Sequence, residues 1–159
     1  RPWPQCEAML ALDGLLRTPD APTISMARGR SVQIIREGDR IGFEVRAPDY
    51  PSFLYVSYVA ADGSIVHLHA PSDGRPVPPG GTLRFGTQGD GMQLVVAPPF
   101  GEEMIVALAS EVPLRLGEAE DNAERAYLTA LRAALAGPAA ASPRPRIGAF
   151  VLPLRTAAR

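Results

Sequence analysis

Lysine is absent from this chain, whose 16 basic residues are all arginine. Its absence excludes a lysine Schiff base, a catalytic lysine and a phosphate-loop lysine together. Compositional bias of the source genome is the simplest origin of this. Cysteine is nearly absent too: Cys6 stands alone, so neither an internal disulfide nor a multi-cysteine zinc site can form. It lies in an apolar segment without the helix-start or glycine-rich setting that lowers a thiol pKa, and reads as a small hydrophobe. A Cys6-dependent hydrolase is the nucleophile alternative that remains.

No apolar run approaches the ~18 residues of a bilayer span, so no membrane insertion is expected of this segment. The formal net charge of -1, with no basic run interleaved with aromatics, gives no footprint for nucleic acid. The nucleophile motif GxSxG is missing. Gly86, Gly89 and Gly91 fall between short strands rather than ahead of a helix, which is not a phosphate-binding arrangement. The chain starts at Arg1 without a secretion signal, as expected for a piece of a longer or processed protein.

Turn chemistry is what the sequence has in abundance: 17 prolines and 15 glycines punctuate short apolar runs. Such punctuation points to a mainly β body rather than a helical bundle. Strands are predicted at 31–36, 41–45, 53–60, 64–70, 82–85, 92–97 and 104–110, with a last one at 147–154. Ile41, Phe43 and Val45 alternate with Gly42, Glu44 and Arg46 in the period of two that marks a half-buried strand. Residues 17–25, with Pro19 and Pro22, read as a linker. Apolar spacing near 3.6 predicts a short helix over 5–16. A longer helix is expected over 118–136, with Glu118, Glu120, Asp121 and Glu124 in its first half and Gly137-Pro138 closing it. The expected architecture is a single domain, 1–159: an antiparallel β-sandwich of about seven or eight short strands plus these two helices.

The stretch from Tyr50 to Ala70 organises this reading. Residues 53–60 are apolar or aromatic on both faces and should form a central strand, and Asp62-Gly63 suits a two-residue hairpin turn. The returning strand carries the protein's two histidines, His67 and His69, whose spacing of two places both on one face. A two-residue turn sets Tyr58 opposite His67 and Val56 opposite His69. Asp73 and Arg75 on the turn-rich loop 71–81 complete the candidate binding set Tyr58, His67, His69, Asp73 and Arg75. His67 and His69 are weak metal-ligand candidates, since no third ligand is fixed by sequence, and no cofactor is implied. Glu102 and Glu103 point to opposite faces of a strand and read as a charged strand start after a turn. Of the aromatics, Tyr50 and Tyr58 are expected nearest the surface and the rest in the core.

Three groups of residues carry a family resemblance: Glu37-Gly38-Asp39 before an alternating strand, Phe53-Leu54-Tyr55-Val56 leading to Ala61-Asp62-Gly63, and Pro99-Phe100-Gly101-Glu102-Glu103 entering Ile105 to Ser110. Together with the loop prolines and Gly80, they cover about residues 35–114. This part resembles a bacterial family of domains of unknown function found C-terminal to serine/threonine kinases and caspase-like peptidases. The resemblance implies an accessory β-sandwich-like domain without established catalysis, and offers no functional residues to carry over. The expectation is therefore not an enzyme but an interaction or ligand-sensing module of a larger bacterial envelope or signalling protein, placed in the cell envelope or periplasm, with a protein or glycan partner. A metal-dependent small-molecule site at the His67/His69 face is the alternative.

Overall fold

A computed structural model describes residues 10, 12, 14–16, 18–26, 34–69, 71, 74–86, 95–114, 132 and 145–158. Among these residues there are eight strands: β1 (Thr23–Met26), β2 (Ile34–Arg36), β3 (Phe43–Arg46), β4 (Phe53–Val59), β5 (Ile65–His69), β6 (Thr82–Phe85), β7 (Glu102–Ser110) and β8 (Ile147–Ala157). They form a three-stranded sheet in the order β1-β3-β6 and a five-stranded sheet in the order β2-β8-β7-β4-β5. All pairings are antiparallel except β2 with β8, which is parallel.

The central strands of the large sheet, β4 and β7, are buried on both faces, and the side-chain period of two divides their residues between two apolar layers. On β7, Ile105 and Ala107 face the small sheet, where they meet Phe43, Val45, Ile24 and Phe85. Met104, Val106 and Leu108 face the other way, toward Leu12, Leu15, Leu16 and Leu114. Leu114 is tied in by Tyr55, whose hydroxyl donates to the Leu114 carbonyl and accepts from the Leu114 amide. Expected strand 53–60 is thus interior, although β7 rather than β4 takes the middle position.

Several expectations need correction. Strand β1 occupies part of the stretch read as a linker; Ile24 faces the core, and Pro19 and Pro22 just ahead of it masked so short a run. Leu12, Gly14 and Leu15 make turns, with Gly14 at φ +85° and the Leu15 amide donating to the Leu12 carbonyl, so the helix expected over 5–16 does not run through them. Leu16 then bridges to Ala149. The rest of that segment, Leu10 and Leu12 aside, lies outside the described residues, as does the 118–136 helix except for Arg132. Of the 92–97 strand, residues 92–94 lie outside them, and Val95 makes only an isolated bridge to Arg40. Strand β8 runs to Ala157, past the expected limit, and carries Pro153 inside it. Strand β2 covers only Arg155 to Ala157 of its flank, and a proline is tolerated where its nitrogen need not donate to a neighbouring strand.

The segment before β1 docks closely on β8. Arg146 bonds the Asp20 and Asp49 carboxylates at 2.8 and 2.9 Å, and its guanidinium lies 4.2 Å over the ring of Tyr50. Tyr50 itself is buried, contrary to the expectation, and donates to the Asp20 carbonyl. Gly148 permits this approach: a Cβ there would stand 2.3 Å from the Ala21 nitrogen and 2.4 Å from Ala21 Cα. Backbone cannot yield as a side-chain tip does, so Gly148→Ala is expected to cost about 1–3 kcal/mol in urea denaturation. Stability equal to the parent protein would show that Asp20 and Ala21 do not pack against β8 in solution.

Candidate functional site

The β4–β5 hairpin carries Tyr58, His67 and His69, and its turn sets the register. The Ala60 amide donates to the Ser64 carbonyl at 2.8 Å and the Gly63 amide to the Ala60 carbonyl at 3.0 Å, enclosing a three-residue loop, Ala61 to Gly63. Gly63 takes φ +87°, the left-handed position such loops reserve for glycine. Ser64 donates to Asp62 Oδ1 from both its hydroxyl and its amide, and in that order these bonds hold the Asp62 carboxyl below its ordinary range.

One extra loop residue shifts every pairing near the turn. Tyr58 faces Val66 rather than His67, and Ser57 faces His67. A bulge between Val56 and Ser57 then absorbs the offset, so Val56 does face His69, as expected. The bulge also separates the histidines. His67 lies 3.3 Å by its Nδ1 from the hydroxyl of Ser57, on the face of β4 that Tyr55 and Val59 share. His69 turns to the other face, edge-on to Phe85 of the small sheet with ring centroids 6.4 Å apart. The expected shared face is therefore absent. Among the described residues no group of three His, Cys, Asp or Glu side chains could hold a metal ion.

Tyr58 is half-buried, and its hydroxyl donates to Glu103 Oε2. Glu103 is the residue whose importance the sequence reading missed: it is 6% exposed, deep for a carboxylate, and also accepts from the Ala61 backbone. It lies on the face of β7 that Ile105 and Ala107 turn toward the small sheet, but the other face is equally apolar, so alternation alone does not single it out. Glu102 points oppositely, toward Arg155 at 3.5 Å. Burial raises the Glu103 carboxyl above its ordinary range, an effect the Tyr58 and Ala61 hydrogen bonds offset only in part. Burial foremost, and Glu103 second, pushes the Tyr58 phenol up. Burial lowers His67. Arg75 is exposed on its loop, whereas Asp73 and Cys6 lie outside the described residues. The loop itself is tied down: Val77 and Ser52 exchange backbone hydrogen bonds, and the Gly80 amide donates to the Pro48 carbonyl.

The two buried titrations act in opposite directions on stability. A carboxyl raised on folding contributes stability that is fully present below its unfolded value and is lost as pH rises through its folded value. A histidine lowered on folding contributes stability that is present above its unfolded value and is lost as pH falls through its folded value. Comparing Glu103→Gln with the parent protein cancels the His67 contribution. The Tm difference should move in favour of the variant as pH rises from about 4.5, the ordinary carboxyl value. A difference that is flat, or that moves the other way, would show that Glu103 is not buried as described.

A family model described as a domain of unknown function (DUF4384) matches residues 34–113. That span runs from β2 through β7 and includes the hairpin, its loop and Glu103. Searches of curated proteins and of solved structures return no match to the chain.

Proposed function

The chain belongs to the DUF4384 family of domains of unknown function, and from that premise we propose that it is a non-catalytic β-sandwich module for interaction or ligand sensing within a larger bacterial envelope or signalling protein. The bacterial setting rests on the sequence resemblance. The observation that carries the interaction reading is the character of β5. It is the outer strand of the large sheet among the described strands, and it contains no proline, acid, arginine or lysine. Natural sheet edges are ordinarily guarded by such residues against pairing with another chain. Val66, near the middle of β5, is 50% exposed.

The mechanism is addition of an extended segment of a partner protein alongside β5, with backbone hydrogen bonds giving affinity and side chains of the hairpin giving selectivity. Residues 65–67, between the turn and the bulge, offer the regular stretch for pairing. His67 and Tyr58 stand on opposite faces there, so a bound strand would be read on both sides. Arg75 and Asp73, on the loop after β5, lie next along the chain.

Selection from a displayed peptide library tests this directly. Peptides recovered on the parent protein should lose about tenfold or more in affinity, some 1.4 kcal/mol, against Val66→Lys, which puts a charge on the open strand. Failure to recover any peptide, or equal binding to the variant, would remove the strand-addition reading. A glycan-array signal sensitive to Arg75→Ala would instead assign the surface to carbohydrate.

A further inference from the structure

Three parts of the fold meet at one buried carboxyl. Glu103 belongs to the start of β7, Tyr58 to β4, and Ala61 to the hairpin loop, and Glu103 accepts hydrogen bonds from both of the others. Among the described residues the ionisable groups facing it are the Tyr58 phenol and, from the loop, the Asp62 carboxyl. Neither is a cation. Strand β8 sets Leu154 beside it, and the small sheet turns Ile24, Phe43, Val45 and Phe85 into the same layer. The neighbouring Arg155 is engaged with Glu102. An ionised Glu103 is consequently a dehydrated anion without a compensating charge among these groups, a costly state that water would relieve.

The two protonation states also differ in what they can bond. An ionised carboxylate is an acceptor at both oxygens and satisfies the phenol and the Ala61 amide together. Once protonated it carries a donor at one oxygen and remains only a neutral acceptor, so the phenol and amide bonds to it weaken, while the cost of burying charge disappears. The loop is the part free to respond, since it is held by the short turn bonds of Ala60, Gly63 and Ser64, whereas β7 is paired on both sides along its length.

We propose that Glu103 is a pH-responsive latch on the β4–β5 loop: protonated, it holds the loop closed against β7, and ionised, it favours an opened loop in which water reaches the carboxylate. The loop adjoins β5, so the latch would govern the end of the strand assigned above to partner binding; that functional consequence rests on the interaction reading, but the latch itself does not.

Amide hydrogen exchange without any partner separates the two. Protection factors of Ala61 and Gly63, corrected for the intrinsic rate, should fall as pH is raised from about 4.5, by up to about tenfold per pH unit until the buried carboxyl itself ionises, and level off above that midpoint. Glu103→Gln should remove the dependence, and Asp62→Asn should retain it. Tyr58→Phe deletes a bond that favours the ionised form, so it should move the midpoint to higher pH, which serves as the test should the Gln variant not fold. Flat protection in the parent protein, a fall that persists in Glu103→Gln or vanishes in Asp62→Asn, or an unmoved midpoint in Tyr58→Phe would overturn the latch.

Discussion

Burial of the centre of the large sheet, β4 and β7, on both faces is the constraint from which the rest of this structure follows. Strands β4 and β7 alternate their side chains between two apolar layers, and neither layer can be left open to water. One layer is closed by the small sheet. Among the described residues the other is covered by Leu12, Leu15, Leu16 and Leu114, held through the Tyr55 hydroxyl and the Leu16 bridge. The prolines and glycines so abundant in the sequence let the chain leave one sheet, cross an edge and return on the other side of the layer it must cover.

The same constraint explains which elements were legible in the sequence. Residues 53–60 and 104–110 are apolar on both faces, and each becomes a strand within a residue or two of its expected limits. Residues 82–85 match β6 at both ends, framed by glycines. Short strands that owe their state to a partner were harder to see. Strand β1, read as linker, is four residues pinned by β3, whereas β2 falls inside the expected 31–36 strand, of which 31–33 lie outside the described residues. No local pattern of that length separates a strand from a loop, because what decides is the neighbour.

Register within the hairpin shows a subtler limit. Asp62-Gly63 marked the turn correctly but not its length, and one residue of difference moved Tyr58 from His67 to Val66. The bulge then cancelled the shift for His69 while placing the histidines on opposite faces. A spacing of two in sequence implies a shared face only in an unbroken ladder, and bulges are not visible in residue types such as Val56 and Ser57. Glu103 was hidden for a related reason. Next to Glu102 and a glycine it resembles any polar strand start, and its burial follows from the tyrosine placed diagonally across on β4. The polar groups that interrupt the apolar layers are thus set by register, which is why they are the least predictable and the most informative residues here.

Strand β8 is the last of the eight in sequence, yet it sits inside the large sheet, between β7 and β2. Until residues 147–157 are available, β7 has only one neighbour, β2 has none, and Arg146 cannot join Asp20 across 126 positions of chain. The sheet therefore cannot be completed in the order of synthesis. During translation the β4–β5 hairpin can form early as a local unit, while the apolar flank of β7 waits for its final strand, and a chain stalled before residue 147 would present that flank to any other extended polypeptide it met.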